Sequence, residues 1–269
     1  MLRAVNDLKG CTIHATDGDI GEVVEFYFDD DNWTVRYLIA DTGRWLPGRK
    51  VLLSPVALGK VDWDSKRLHV AMTKKQVENS PDIDTAKPVS RQHEMAYYNY
   101  YNYPYYWNGP YLWGPASYPR GVVAPSATGI AANSIEKELA AATEPAESGD
   151  VHLHSTKEVT GYYVEANDGD MGHVDDFIID DENWTVRYLV VDTRNWWPGK
   201  KVLVSPEWIQ HVSWSDSRVY VDLSRQTIQD SPEYAGPGSI DRDYETRLHG
   251  HYGREGYWSR GRRKPQMAG

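Results

Sequence analysis

The sequence DNWTVRYLIADT, residues 31–42, decides the fold because it returns as ENWTVRYLVVDT at residues 182–193. The two stretches are 151 residues apart, and the same offset aligns residues 10–81 with residues 161–232 without a gap. About 33 of these 72 paired positions are identical. Self-similarity of this extent indicates a repeated structural unit. The chain therefore contains two copies of one small domain, separated by a dissimilar segment.

The composition is that of a soluble globular protein, with 40% hydrophobic and 25% charged residues among 269. The single cysteine, Cys11, excludes an intrachain disulfide. No apolar run approaches the roughly 18 residues of a membrane span, and the N-terminus lacks the apolar stretch of a signal peptide. The net charge of −10 argues against non-specific nucleic-acid binding. We expect a cytoplasmic protein without a cofactor.

Each copy contains six short runs of β-branched or alternating apolar residues, which predict strands. A Thr73–Gln76 capping box predicts one short helix before Pro81. Six strands about ten residues apart, with hairpin turns, are typical of a small closed β-barrel. The expected fold is mainly β, with two tandem small β-barrels that each carry one short C-terminal helix. In the first copy the predicted strands are GCTIHA, IGEVVEFYF, WTVRYLIA, RKVLLS, ALGKVDW and RLHVAM.

The segments outside the repeat have biased compositions. Residues 97–118 are rich in Tyr, Asn, Trp and Pro, which predicts a disordered and adhesive tract. Residues 135–142 are Ala-rich and could form one or two helical turns, and the basic C-terminal tail is expected to be disordered. The expected domain boundaries are 1–90 for the first barrel, 91–150 for the linker, 151–235 for the second barrel and 236–269 for the tail.

The stretch DGDIGEVVEFYFDDDNWTVRYLIADTG, residues 17–43, followed by WLPGRKVLLSPVAL, residues 45–58, resembles the PRC-barrel domain. The resemblance covers about residues 5–83 and 156–234. Its features are a Gly-x-x-Gly-x-Val turn and strand, an aromatic-rich central strand, and a strand that ends in Ser-Pro. The turn glycines are Gly18, Gly21, Gly169 and Gly172. Asp-Gly turns of hairpins need positive φ at glycine.

This resemblance implies a class of partner. The family includes the cytoplasmic barrel of the photosynthetic reaction-centre H subunit, the C-terminal domain of the ribosome-maturation protein RimM, and stand-alone bacterial proteins. A tandem pair is most similar to the stand-alone, H-subunit-like members. The resemblance therefore implies a protein-binding adaptor, bacterial and associated with a membrane or photosynthetic complex. The two barrels share one surface, so they could also dock as a pseudo-dimer.

Two histidines are the candidate metal ligands. His152 and His154 lie two residues apart, so a strand would point both to one side. That spacing could bind zinc and support a metal-dependent enzyme. An exposed strand face is the commoner position of such a pair, and the aligned residues of the first copy are Met1 and Arg3.

The repeated polar residues point to structural roles. The acidic turns at 17–19 and 29–32 could hold a cation, but Asp and Asn are common turn residues. Ser54 has no G-x-S-x-G motif around it. An arginine that points inward from the central strand needs a carboxylate partner. We predict that the resulting ion pair closes one end of the barrel. The predicted pairs are Arg36 with Asp41 and Arg187 with Asp192; Asp29 and Asp180 are the alternative acceptors.

Repeated tryptophans are the candidate partner-binding residues. Exposed Trp side chains anchor protein interfaces, although packing in the core or at the barrel rim is the simpler interpretation. Loop positions beside Pro-Gly favour exposure of Trp45 and Trp196. The four candidates are Trp45, Trp196, Trp33 and Trp184.

The C-terminal tail supports an alternative function. It interleaves Arg with Tyr and Trp between Arg242 and Lys264. Arg with aromatic side chains suits RNA or single-stranded nucleic acid, which would fit a ribosome-maturation role. A solubilising tail is the simpler interpretation. The sequence thus favours a non-enzymatic adaptor over an RNA-linked protein or a metal-dependent enzyme.

Overall fold

The computed structural model of the chain describes residues 1–82, 89–119, 152–193 and 199–259. They fall into two compact units. Leu8–His154 form the first-copy unit, and Met1–Asp7 with Ser155–Arg263 form the second-copy unit. The mainly β fold with two tandem domains, predicted from the repeat, is confirmed.

The first-copy unit is built on one sheet. Its strand order is β5-β4-β3-β2-β7-β6, with β8 also paired to β3. Strand β2 pairs with β7 in parallel. The pairs β2–β3, β3–β4, β4–β5 and β6–β7 are antiparallel. Among the described residues no ladder joins β5 to β6, so hydrogen bonds do not close the barrel there. The strands are β2 Thr12–Ala15, β3 Gly18–Asp29, β4 Thr34–Asp41, β5 Lys50–Leu53, β6 Leu58–Asp62, β7 Arg67–Val70 and β8 Leu153–Ser155.

Strand β4 lies at the centre of the core. Seven of its eight residues are buried, as its near-continuous apolar sequence predicts for a central strand. Phe26 and Phe28 of β3 are also fully buried beside it. After β7, helix α2 (Lys74–Glu78) begins with the predicted capping box between Thr73 and Gln76.

The second-copy unit has the equivalent sheet. Its order is β12-β11-β10-β9-β14-β13, and β1 also pairs with β10. The strands are β1 Leu2–Ala4, β9 Tyr163–Ala166, β10 Gly169–Asp180, β11 Val186–Asp192, β12 Lys201–Val204, β13 Ile209–Ser213 and β14 Arg218–Val221. The helices of the described chain are α1 Val5–Leu8, α2, α3 Arg91–Tyr101, α4 Thr156–Val159, α5 Arg225–Gln229 and α6 Arg242–His251, with 3-10 turns at Pro55–Ala57, Pro206–Trp208, Pro237–Ser239 and Tyr257–Ser259.

The two short strands β1 and β8 are exchanged between the copies. Residues 2–4 and 153–155 are equivalent under the 151-residue offset. Yet β1 pairs with β10 of the second copy, with Leu2 opposite Asp180 and Ala4 opposite Ile178, whereas β8 pairs with β3 of the first. Residues 1–7 therefore pack in the second-copy unit, although in sequence they begin the first copy.

The linker and the tail also differ from expectation. Helix α3 ends inside the aromatic tract that was predicted to be disordered, with residues 97–101 in common, and α6 lies inside the tail. Both helices have side-chain caps, from Ser90 and Asp241 respectively, and both bury aromatic residues. The prediction of disorder is wrong for these residues, because aromatic side chains that find a partner surface stabilise order. The predicted helical turns at 135–142 lie outside the described residues.

Glycine is required where β3 approaches β4. Gly21 has φ +142°, and a Cβ there would lie 1.9 Å from the carbonyl oxygen of Asp41. Gly172 repeats this geometry, with 2.1 Å to the Asp192 oxygen. The predicted turn glycines Gly18 and Gly169 also have positive φ, +137° and +128°.

We expect Gly21→Ala to lower the unfolding free energy by roughly 2–4 kcal/mol, because it adds a backbone clash to an unfavourable φ. Gly43→Ala is the matched control, since Gly43 has φ +56° but open space at its Cβ position. The control should lose only about 1 kcal/mol. Urea unfolding of both variants checks this, and equal losses would contradict the close approach.

Strand exchange predicts that the chain stays together after it is cut between the copies. A protease site placed near residue 132 would leave β1 on one fragment and its partner β10 on the other. We expect the two fragments to co-elute in size-exclusion chromatography, because residues 1–7 pack inside the second-copy unit. Ala4→Asp places a charge at a 2% exposed position and should promote separation. Immediate separation of the unsubstituted fragments would contradict the exchange.

Candidate functional site: a duplicated arginine–aromatic cluster

A fully buried arginine lies at the centre of the first-copy unit. Arg36 on β4 has 0% exposure. Its Nε donates to Asp29 Oδ2 at 2.6 Å, and its Nη1 donates to the Leu112 carbonyl at 2.6 Å. The guanidinium carbon lies 4.0 Å from the Tyr106 ring centroid and 4.8 Å from that of Trp113. One carboxylate and two rings thus surround this buried cation, which lowers the cost of burying it.

A buried glutamate joins helix α3 to the sheet. Glu94 Oε1 accepts hydrogen bonds from the Tyr37 hydroxyl at 3.0 Å and the Tyr106 hydroxyl at 2.8 Å. Its Oε2 lies 3.0 Å from Arg91 Nη1 and 2.6 Å from His152 Nε2. Burial, and then the Glu94 charge, raise the pKa of Tyr37. The tyrosine therefore remains a neutral donor to the carboxylate.

A stacked tryptophan extends this cluster towards the surface. The Arg91 guanidinium lies 4.3 Å from the Trp107 ring centroid. The Trp107 ring also stacks on the Tyr105 ring, with the ring centroids 4.7 Å apart and 13° between the planes. Trp107 itself is only half-buried. The arginine and tyrosine therefore hold a partly exposed indole in a fixed orientation.

The second-copy unit repeats the cluster at the same offset. Arg187 Nη2 donates to Asp180 Oδ2 at 2.9 Å, and its guanidinium lies 3.9 Å from the Tyr257 ring centroid. Arg242 lies over Trp258 at 4.2 Å. Glu245 accepts from Tyr188 at 2.9 Å and pairs with Arg242 at 3.0 Å.

The repeat therefore continues beyond Pro81 and Pro232, through α3 and α6. The sequence carries a signal for this extension outside the core repeat. Five of the 26 pairs between residues 82–107 and 233–258 are identical, and the chemistry of the cluster depends on four of them. The identical pairs are Arg91/Arg242, Glu94/Glu245, Tyr101/Tyr252, Tyr106/Tyr257 and Trp107/Trp258.

A polar cavity of about 130 Å³ lies beside the cluster of the first-copy unit. Burial, and then the charges of Asp30 and Asp29, raise the pKa of Asp31 on its wall. Arg36 Nη2 is buried without a hydrogen-bond partner among the described residues. A cavity of this size and polarity suits a few water molecules. Its lining residues are Asp29, Asp31, Asn32, Arg36, Arg91, Tyr106, Trp107 and His152.

The predicted histidine pair does not form one ligand set. His152 and His154 are 6% and 4% exposed, so the expectation of an exposed strand face is wrong. His152 contacts Glu94, whereas His154 Nε2 lies 3.3 Å from Asp30. At the equivalent positions of the other copy, the Met1 ammonium and the Arg3 guanidinium lie 2.6 and 3.4 Å from Asp181. The two histidine rings therefore contact carboxylates of different segments.

The ion-pair partners are also corrected. Arg36 pairs with Asp29 and Arg187 with Asp180, whereas Asp41 and Asp192 were the predicted partners. Residues 36 and 41 are five apart on one strand, so their side chains point to opposite faces. Asp41 Oδ1 instead accepts a hydrogen bond from the Gly43 amide at 2.8 Å. Asp192 is 1% exposed and lies on β11.

The three described candidates of the predicted tryptophan face differ in exposure. Trp184 is 5% exposed, and Trp33 stacks on Phe28 with centroids 5.0 Å apart. Trp45 is half-buried, with Lys74 Nζ 4.8 Å from its ring centroid. Trp196 lies outside the described residues. Trp107 and Trp258 are partly exposed at equivalent positions, the latter at 38%, and so are Trp63 and Trp214.

We expect Arg36→Met to lower the unfolding free energy by about 3–5 kcal/mol, because it leaves the buried Asp29 carboxylate without its cation. The double variant Arg36→Met/Asp29→Asn should recover part of this loss. Arg187→Met is the matched change in the second copy and should cost less, because Arg187 and Asp180 are each 17% exposed. Denaturant unfolding measures all three, and equal losses at the two arginines would contradict this assignment.

Comparison with known families agrees with the repeated fold. The PRC-barrel domain model matches residues 2–77 and 155–228, which together exceed half of the chain. No curated protein matches the sequence. None of the helices in the described part of the chain is long and apolar enough to cross a membrane. The chain therefore belongs to the PRC-barrel domain family, of which it carries two tandem copies.

Proposed function

We propose that this protein is a non-enzymatic adaptor that binds a protein partner through the arginine-stacked tryptophans Trp107 and Trp258. One observation carries the proposal. Both copies place a partly exposed indole at the same position, 4.3 Å from Arg91 in one and 4.2 Å from Arg242 in the other. Ordered, partly exposed Trp residues beside Arg have the composition of interface hot spots.

Preorganisation supports this role. An interface residue that is already held in one rotamer loses little conformational entropy on binding. The ring of Trp107 is held by Arg91 and Tyr105, and that of Trp258 by Arg242 and His249, whose ring centroid lies 5.0 Å away. Each indole can therefore contact a partner without first being ordered.

The remaining repeated polar groups support a structural rather than a catalytic use. Glu94 and Glu245 are almost fully buried and accept hydrogen bonds from tyrosines of their own unit. A general base must reach a substrate proton, and these carboxylates face helix and sheet instead. Binding to a partner is thus the simplest role for the part of the cluster that reaches the surface.

A membrane-associated complex is the class of partner that the family favours. PRC-barrel members similar to the reaction-centre H subunit bind such complexes from the cytoplasmic side. We propose the same arrangement here, with the chain located in the cytoplasm and peripheral to the inner membrane. The partner itself would supply the membrane anchor.

The RNA-linked alternative has less support from the described part of the tail. Arg242 stacks on Trp258, and Arg254 Nη2 lies 2.9 Å from Asp222 Oδ2. Arg247 lies 6.0 Å from the Tyr244 ring centroid. The interleaved Arg and aromatic residues up to Trp258 thus have contacts within the second-copy unit, while the three arginines stay exposed. The remaining cations of this alternative are Arg260, Arg262, Arg263 and Lys264, which lie outside the described residues.

The test compares partner recovery by the unsubstituted chain with recovery by Trp107→Ala/Trp258→Ala. Loss of an interface anchor costs about 2 kcal/mol or more, which corresponds to roughly 30-fold weaker binding. We expect cross-linked partners from the native cells to disappear with this double variant, while its melting temperature stays close to that of the unsubstituted chain.

Tyr163→Ser is the matched control. Tyr163 is 55% exposed and lies 5.4 Å from the Arg218 guanidinium, but its equivalent in the first copy is Thr12. This variant should keep every partner. Equal recovery by the tryptophan variant and the unsubstituted chain would contradict the proposal.

A further inference from the structure

Three potential metal ligands meet on the sheet of the second-copy unit. His173 on β10 lies directly opposite Asp192 on β11, and Asp175 follows His173 by two residues. One ligand atom from each side chain lies within 4.8 Å of the other two. Asp192 is 1% exposed, whereas His173 and Asp175 are half-buried. The group therefore has a buried carboxylate at its base and two ligands nearer to solvent.

We propose that His173, Asp175 and Asp192 bind a divalent transition-metal ion of the zinc class. One imidazole nitrogen and two carboxylate oxygens form a three-ligand set that leaves a fourth position for water. In a tetrahedral zinc site with bonds of about 2.0–2.1 Å, neighbouring ligand atoms are about 3.3 Å apart. Small changes in side-chain torsions bring atoms that lie within 4.8 Å to that distance. Imidazole with carboxylate favours zinc or a similar ion over calcium.

A lysine shows that this position stabilises positive charge. Lys201 Nζ lies 2.6 Å from Asp175 Oδ2, and Lys201 is the residue opposite Asp192 on β12. Carboxylates this close together need a cation to offset their repulsion and burial. The Lys201 side chain is 39% exposed, so its ammonium can move to solvent when a metal binds. Lysine and metal therefore compete for the same carboxylate.

The first copy shows that the fold does not need these ligands. Its equivalent residues are Glu22 and Val24 on β3 and Asp41 on β4. Both copies have an irregularity in the ladder at this point, between Val23 and Glu25 in one and between Val174 and Asp176 in the other. Bulges commonly redirect side chains at functional sites. The second copy thus combines the shared bulge with a histidine and an additional aspartate, which the scaffold itself does not require.

This site is separate from the proposed adaptor function and from the pair His152 and His154. Its residues make no part of the arginine–aromatic cluster. It belongs wholly to the second-copy unit, whereas His152 and His154 belong to the other. Loss of partner binding by the tryptophan variant would therefore leave metal binding unchanged.

The test titrates zinc chloride into the full, chelator-treated chain by calorimetry and follows cobalt chloride by visible absorption. We expect one saturable site that Asp175→Val removes, since valine is the residue of the first copy and should preserve the fold. His173→Gln removes a direct ligand. Loss of a group that only hydrogen-bonds to a ligand typically weakens metal affinity roughly 10- to 100-fold, and we expect at least that loss here. Lys201→Met should tighten binding, because it removes the competing ammonium.

Glu22→Gln in the first copy is the matched control and should leave the affinity unchanged. Melting curves recorded without metal check that each variant is folded. The proposal is overturned if the unsubstituted chain shows no saturable site, or if folded Asp175→Val and His173→Gln bind zinc as the unsubstituted chain does. Weaker binding by Lys201→Met would overturn the competition between lysine and metal.

Discussion

Burial of a guanidinium in the central strand is the constraint on which the rest of the first-copy unit depends. Arg36 has no exposed surface, so water cannot solvate its charge, and removing an ion from water without a partner is costly. Asp29 supplies the opposite charge, and Tyr106 supplies a ring face 4.0 Å away. The strand therefore requires the segment that follows the barrel sequence. Helix α3 becomes part of the domain because Glu94 fixes it to Tyr37 of the same strand.

Comparison of the two copies distinguishes residues that both units share from residues that occur in one unit only. The arginine, its carboxylate, the helix glutamate and the stacked tryptophan occur in both units at one offset. Residues that differ between the copies are not common requirements of the scaffold. His152 occurs where the other copy has the chain terminus, and His173 and Asp175 occur where the first copy has Glu22 and Val24. The shared set supports partner binding by both copies, and the second copy alone carries the proposed metal ligands.

The local features could be predicted from the sequence. Strand β4 follows from its apolar run, and the α2 capping box follows from Thr73 and Gln76 at the required spacing. The three-residue strands β1 and β8 could not be predicted, because Leu2 pairs with a residue 178 positions away and carries no local pattern. The sequence did not predict that residues 97–118 are ordered. Their composition suggested disorder, and their position relative to the repeat was not used. Matching Glu94 with Glu245 would have extended the repeat, and the face rule would have assigned Arg36 to Asp29 rather than to Asp41.

Amide hydrogen exchange on the full chain tests most directly whether the aromatic segment belongs to the folded unit. In such a unit the amides of α3 open together with those of β4, because the hydrogen bond between Glu94 and Tyr37 links the two elements. The account predicts that slow exchange in Arg91–Tyr101 and in Thr34–Asp41 is lost at the same denaturant concentration, and likewise in Arg242–His251 and Val186–Asp192. Fast exchange throughout α3 and α6, with β4 and β11 still protected, would contradict it.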